Sequence, residues 1–308
     1  MKSLVPCFGR RTILTGTPSP NGYINLFGQL LVVDQGERLG QYLGMYRNRF
    51  FVRVDVHLWV LQNKRAEKKV QDAIRDVCIY FSDRELGLKP VTQVTIPVTL
   101  PPKARRVYDE LERDFIAALP RGLCVASNAG VLSQKLREVA NGGVYDSDGR
   151  THHLHDAKTE AVSDLYEELQ GQSLIVGYEF DHDLERLRGA FPQAPVIRGK
   201  TTMKERGRIL REFDVGEQSQ PLLAQIATMA LGLNLQKNCH RVCFHSLIFD
   251  AENYIQFIKR VHRLGQAKRV IAYHVVAKNT VDDKVMMPVL KSKKRSQQAL
   301  LDALRRMR

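Results

Sequence analysis

Long apolar runs are missing from this 308-residue chain. Its apolar stretches fall far short of the roughly 20 residues that a membrane-spanning helix needs. Met1 to Arg11 lacks the form of a secretory leader, because Pro6 and Gly9 break a short apolar stretch. Cysteine is sparse and unpatterned: Cys7, Cys78, Cys124, Cys239 and Cys243 make an odd count of 5. That argues against a disulfide scaffold and for a reducing, cytoplasmic setting. Acid is in short supply, with 33 Asp and Glu against 47 Lys and Arg, a net charge of +14. Such an excess favours a polyanionic partner bound by counterion release, without base reading. Solubility alone is the other use of that charge.

Apolar residues still make up 44% of the chain, enough for a core, and the length allows about two domains. Two clusters invite a metal reading and are set aside. His152, His153 and His155 have no cysteine nearby. Cys239, His240, Cys243 and His245 flank RVCFHS, which reads as a buried strand. No metal site is expected.

The run QFIKRVHRLGQAKRV, Gln256 to Val270, carries more information. On a helix, Gln256, Arg260 and Arg263 at i, i+4 and i+7 share one face. Phe257, Val261 and Leu264 fall on a second face about 100° away and would be anchored in a core. Paired guanidiniums suit a polyphosphate, because they stay charged and bind phosphate oxygens bidentately. A plain basic solvated helix is the alternative for this run taken alone.

This run resembles the last helicase motif of the Swi/Snf-type ATPases of superfamily 2, Q-x-x-x-R-x-H-R-x-G-Q, through Gln256, Arg260, His262, Arg263, Gly265 and Gln266. LTGTPSPN, Leu14 to Asn21, resembles the family's third motif. GKTTMKERGRILREFD, Gly199 to Asp214, resembles its G-x-T-x-x-x-R segment, and GLNL, Gly232 to Leu235, the tail of its fifth motif. The blocks stand in the family's order, from about Leu14 to about Asp283. Phage-encoded members are similar in NGYINLFGQ and LIVGYEFDHDLERL, which would place the protein in a bacterial host's cytoplasm. The fifth motif departs from the family's A-G-G-x-G-x-N-L, because Thr228, Met229, Ala230 and Leu231 precede Gly232. Losing two glycines narrows that turn's backbone freedom.

The family's Walker A loop and D-E-x-H box lie upstream of LTGTP, which begins here at Leu14. The chain therefore reads as the back part of such an ATPase. Ala194 to Thr201 satisfies a loose Walker pattern, but Pro195 lacks an N–H and Val196–Ile197 favour a strand. Thr202 and Glu205 instead resemble a capping box. Asp109-Glu110-Leu111-Glu112 reads as a solvated helix face.

The resemblance implies an α/β fold. A RecA-like helicase C-terminal lobe, an open parallel sheet with helices on both faces, is preceded by the end of a first RecA-like lobe and a helical insertion. The implied divisions are 1–98 for the first lobe's end with its insertion, 99–155 for a linker and helical protrusion, 156–281 for the second lobe, and 282–308 for a basic helix or tail. Periodicity places strands at Arg11–Leu14, Val91–Leu100, Ser173–Tyr178, Pro195–Arg198, Pro221–Ala227, Arg241–Ser246 and Arg269–Val276. Helices are expected at Asn21–Leu31, Asn63–Tyr80, Lys103–Leu119, Asn128–Val139, Lys158–Gln170, Leu184–Ala190, Thr202–Phe213 and Asn253–Leu264.

By resemblance, the function is ATP-driven movement along double-stranded DNA, using ATP and Mg2+ held mainly by a lobe outside this chain. Arg260 and Arg263 would be fingers to the γ-phosphate, with Gln256, Gly232 and Asn234 beside the nucleotide. Thr15, Gly16, Thr17 and Pro18 would transmit lobe closure. Gly177, Tyr178, Arg206 and Thr228 would touch DNA, the first two through backbone N–H groups; Arg206 would support the lobe's structure or the DNA grip, and is equally a plain helix-surface arginine. The other class of reading is a non-enzymatic DNA-binding remnant that uses the basic surface alone.

Overall fold

The structure is a computed structural model that describes residues 7–15, 18–19, 22–54, 59–79, 83, 85–118, 126–216, 220–229 and 234–292. The chain divides into two units. The first comprises Met1–Leu86, Asp250–Glu252 and Leu290–Arg308, the second Gly87–Phe249 and Asn253–Val289.

The first unit has its own core. A 3-10 turn at Tyr23–Asn25 leads into α1 (Leu26–Asp34), followed by α2 (Leu43–Phe50), the hairpin β1 (Phe51–Arg53) and β2 (Trp59–Leu61), and α3 (Lys64–Ile74). Tyr46 is fully buried and stands against the rings of Phe27, Phe50 and Phe51 at 5.8, 5.5 and 5.1 Å. Aromatic groups of this size dominate the burial that a small core can supply. Their polar ends are satisfied: Tyr46 Oη donates to Tyr23 O at 2.9 Å, and Tyr23 Oη donates to Glu67 at 2.8 Å. α3 starts at Asn63, whose side chain accepts from Ala66 N–H at 2.9 Å, an N-cap bond. Its Ala66, Val70 and Ile74 complete the core. Arg11 to Leu14 has no regular structure, so the strand expected there is absent.

The second unit is built on a six-stranded sheet in the order β3-β10-β9-β6-β8-β7, with every pairing parallel. The strands are β3 (Thr92–Val98), β6 (Ile175–Tyr178), β7 (Val196–Ile197), β8 (Leu222–Gln225), β9 (Arg241–Phe244) and β10 (Ile271–Ala277). The connecting helices are α4 (Pro102–Ala118), α5 (Ala126–Asn141), α6 (Ala157–Glu168), α7 (Asp181–Ala190), α8 (Met203–Val215), the single turn α9 (Ile226–Met229) and α10 (Ala251–Ile258). A small antiparallel hairpin, β4 (Gly143–Tyr145) with β5 (Thr151–His153), precedes α6. The central β6 is buried at every position, as a parallel strand covered on both faces must be. β3 lies at the edge and alternates between part-buried and exposed residues.

This architecture is the RecA-like C-terminal lobe expected from the sequence, and the structure moves one boundary. Thr92–Val98 runs parallel to Ile271–Ala277 throughout, so β3 belongs to this sheet and not to a lobe ending at 98. Sequence patterning locates β3 but cannot show its partner, which lies far along the chain.

Charged groups close the sheet at the C-terminal ends of β6, β9 and β10. Lys158 on α6 is fully buried, 2.6 Å from Asp282 and 2.6 Å from Asn141 Oδ1. Asp183 on α7 accepts from Ser246 Oγ at 2.6 Å, Asn141 Nδ2 at 3.2 Å and Arg186 at 3.0 Å. Burial opposes ionisation of Asp183, but the His182 hydrogen bond and the neighbouring positive groups outweigh it and hold its carboxyl well below the usual range. His245 is pushed down to about 3 by burial, and His155, whose Nε2 faces Val139 O at 3.0 Å, to about 4.

Lys158→Met leaves Asp282 charged and unpaired, and should cost about 3–5 kcal/mol; Lys158→Met with Asp282→Leu should recover most of that. Amide exchange in β6 and β10 measures both, and equal loss in the single and double variants would contradict the pairing. Buried neutral His155 and His245 bind protons only after unfolding. Below the unfolded value of about 6.5, each should remove about 1.4 kcal/mol of stability per pH unit until its folded value is reached. Urea midpoints between pH 7 and 5 check this, with a shallower slope expected for His245→Gln.

Candidate functional site

α10 is placed by close packing beneath it. Asp250 Oδ1 caps it by accepting from Glu252 N–H at 2.9 Å. Its Phe257 lies directly against Gly177 of β6, where a Cβ would stand 2.9 Å from Phe257 Cζ and 3.0 Å from Ile226 Cγ1. Only a residue without a side chain admits that approach. Phe244 stacks on Tyr254 at 4.8 Å, and Tyr254 Oη meets His274 Nε2 at 2.9 Å.

The helix ends at Ile258, so Arg260 and Arg263 are not on the continuous helical face expected from the sequence. Bonds tighten to i→i−3 spacing: Arg260 N–H reaches Phe257 O at 3.2 Å, and Val261 N–H reaches Ile258 O at 3.1 Å. The Arg260 carbonyl is taken by Leu235 N–H at 3.0 Å, which diverts the chain from the helical path. Leu264, expected in the core, is 64% exposed, whereas Phe257 and Val261 are buried as expected.

The turn divides the motif between display and anchorage. Arg260 is half-buried, and its Nε donates to the Gln256 carbonyl at 3.0 Å. Burial, and then repulsion from the Arg263 guanidinium, lowers its pKa from the ordinary arginine value. Arg263 is exposed, and its Nη1 donates to Asn234 Oδ1 at 2.5 Å. Its partner is thus a neutral amide and not a carboxylate. Anchorage falls to His262 and Gln266. Buried His262 donates through Nε2 to Lys89 O at 2.9 Å. The Gln266 amide donates to Gln236 O and Cys239 O, both at 2.9 Å, and to Val261 O at 3.1 Å. Gly265, at φ +92°, makes the bend between them. In the sequence these residues are only motif matches; their work as clamps depends on partners distant in the chain.

The other expected site residues lie as follows. Asn234 joins Arg263, and Gln256 joins Arg260. Gly232, Gly16 and Thr17 lie outside the described residues. Thr15 is exposed, and the Pro18 carbonyl accepts from Gln29 Nε2 at 2.7 Å. Thr228 donates to Gln225 Oε1 at 3.1 Å, and the same oxygen accepts the Gly199 N–H at 3.2 Å. That N–H is therefore occupied within the protein, and Val196–Ile197 is a strand, as the reading of this segment as no phosphate loop requires. Thr202 caps α8 by accepting from Glu205 N–H at 3.2 Å.

The resemblance assigns Gly177 and Tyr178 to DNA through their backbone, whereas the structure places both in the sheet interior. The Gly177 carbonyl accepts from His245 N–H at 3.0 Å, and the Tyr178 ring is fully buried. The next amides are also taken, Glu179 N–H by Ser246 Oγ and Phe180 N–H by Asp183, both at 3.1 Å. Arg206 is 8% exposed, which removes the helix-surface alternative, and its Nε has no hydrogen-bond partner. Arg137 belongs to none of the sequence motifs. It bonds Glu179, donates to Leu247 O at 3.0 Å and lies 5.3 Å from the Phe180 and Phe249 rings. The run of charge after LIVGY is its only trace in the sequence.

Residues 157–265, which hold Gly177, Asn234, α10 and both arginines of the turn, match the helicase conserved C-terminal domain. A putative protein p41 of Acyrthosiphon pisum secondary endosymbiont phage 1 is 35% identical over 305 residues, covering 95% of this chain and 64% of that protein. The SWI/SNF-related matrix-associated actin-dependent regulator of chromatin subfamily A-like protein 1 of Xenopus tropicalis is 30% identical over 139 residues, 44% of this chain. These matches support a Swi/Snf-type, helicase-like protein of superfamily 2.

The crystal structure of the C-terminal part of the Fun30 ATPase domain has the same fold, at TM-score 0.52 and 15% identity, covering 71% of this chain and 99% of that one. The Swi/Snf-type chain spans 64% of the phage protein's length and 14% of the Xenopus protein's. Among its described residues no helix is long and apolar enough to cross a membrane. If Gln266 clamps the arginine turn as the distances indicate, Gln266→Ala should cost about 1–3 kcal/mol, since three carbonyls lose a donor. Faster amide exchange at residues 234–239 and 260–263 is the expected readout; unchanged exchange would dismiss the clamp.

Proposed function

We propose that this chain supplies the second RecA-like lobe of an ATP-driven motor acting on double-stranded DNA. The observation that carries the reading is the arginine turn. Arg263 is exposed and tethered to a neutral amide, beside a second guanidinium that burial and like charge already disfavour. Such a pair gains most from a multivalent anion, and a triphosphate fits that description.

In this reading ATP and Mg2+ are held mainly by a Walker-bearing lobe outside these residues. Arg260 and Arg263 contact the phosphates from the opposite side, where they stabilise charge that develops on the γ-phosphoryl group. Asn234 orients Arg263, and Gln256 fixes Arg260 through its carbonyl. Gly232, two residues before Asn234 in the sequence, is assigned to the nucleotide by the resemblance alone. Thr15, Gly16, Thr17 and Pro18 couple lobe closure to DNA grip. The net charge of +14 supports binding to the DNA backbone without base readout. Of the residues that the resemblance assigns to DNA, Thr228 keeps that role; the buried surroundings of Gly177, Tyr178 and Arg206 favour a packing role.

Hydrolysis assayed with and without duplex DNA tests the reading, on the chain alone and after addition of a Walker-bearing lobe. DNA binding without hydrolysis by the chain alone, and DNA-stimulated hydrolysis with the lobe, are expected. Arg263→Ala should then lower kcat by roughly 10³-fold or more. Full activity in that variant would remove the finger role, and DNA binding with no hydrolysis in any combination would leave a DNA-binding remnant.

A further inference from the structure

The solvent face of α3 carries cations that nothing in the fold uses. Lys64, Arg65, Lys68 and Lys69 are all exposed, and none has a side-chain partner among the described residues. Of the acids of this unit, exposed Asp72 stands on α3 itself four residues after Lys68, and others are committed elsewhere. Asp34 and Asp76 pair with Arg38 at 3.3 and 2.6 Å, and Glu67 accepts from Tyr23. The stripe also violates helix electrostatics twice. It crowds positive charge into the first turns, where the macrodipole is already positive. It also sets Lys64 against Lys68 and Arg65 against Lys69, like charges at i, i+4 spacing. Glu67 in the first turn and exposed Asp72, four residues after Lys68, offset only part of that charge, and a local rule broken this far marks a place where an outside partner is expected.

Beside it, the β1–β2 hairpin exposes Val52 and Val60 as a cross-strand pair. Arg47 lies 5.1 Å over the Trp59 ring, with a buried Nε that lacks a hydrogen-bond partner. The Trp59 ring thus supports its guanidinium.

We propose that this face of the first unit, α3 with Arg47, is a second grip on the phosphate backbone of duplex DNA. The charge density argues for a duplex. Lys64 to Lys69 spans about 7.5 Å of helix at ~1.5 Å per residue, so its four cations recur about every 2.5 Å. Duplex DNA presents one phosphate charge per ~1.7 Å of axis. The inference rests on duplex DNA being the partner proposed above, but it involves neither nucleotide nor the arginine turn.

The test uses the 308-residue chain and a random-sequence duplex, with affinity measured across salt concentrations. The variant Lys64→Gln, Arg65→Gln, Lys68→Gln, Lys69→Gln keeps helix propensity while removing charge. It should reduce the log–log salt slope by about 3.6, or ~0.9 for each phosphate no longer neutralised. Its melting temperature should stay level or rise. A control removing Lys103, Arg106, Arg113 and Lys278, all exposed in the second unit, should move the slope by less than about 1. Lys64→Glu with Lys68→Glu, which the macrodipole favours, should weaken binding more than matched Gln changes. An unchanged slope, an equal loss in the control, or a slope loss that tracks a falling melting temperature would each overturn the proposal. A wild-type chain that binds no duplex would overturn this reading and the DNA part of the proposed function together.

Discussion

The second unit turns on the contact between Phe257 and Gly177. A parallel strand buried on both faces ordinarily fills every position with side chains. Here the strand leaves one out, and an aromatic ring from α10 takes the space. That contact sets the height of α10 over β6. Since α10 ends one residue past Phe257, it also fixes where the arginine turn begins. Gly177 therefore matters for the site without touching a ligand. Its worth lies in the missing Cβ, and any larger residue would push the helix and its arginines outward together.

The turn after Ile258 is held by backbone acceptors. Leu235 N–H draws off the Arg260 carbonyl, and Gln266 gathers three further carbonyls from two segments. The result is a rigid frame with few carboxylates near its cations. Arg263 rests on Asn234, which orients it without neutralising it. A carboxylate in that place would satisfy the guanidinium and weaken its pull on an incoming phosphate. At the other end of the strands the opposite choice is made. Lys158, Asp282, Asp183 and Arg186 are paired and buried, so their charge is spent on holding α6, α7 and the strand ends together. One lobe thus contains spent charge that stabilises and unspent charge that can bind.

The first unit shows the same division on a smaller scale. Its aromatic core around Tyr46 is satisfied internally, and Arg38 absorbs the nearby acids. What remains outward on α3 is mainly positive, with Asp72 the exposed acid. The family resemblance of this part of the chain lies in its third-motif segment, whereas the module behind it is legible mainly through its physics.

The sequence by itself determined the fold class, the alternation of strands and helices in the second unit, the cap at Thr202, and the arginine motif. All of these are local: apolar runs, 3.6-residue periodicity, and side chains that bond a backbone group a few residues away. Only tertiary structure decided the rest. The partner of β3 lies well over a hundred residues away, and so no pattern within 92–98 could name it. The helix predicted through Leu264 stops at Ile258 because a distant N–H claims a carbonyl. Tyr178 and Arg206, which the resemblance set beside DNA, are enclosed by strands and helices whose approach depends on packing. Periodicity reports what a segment can be; which of its groups face outward is settled by what packs against it.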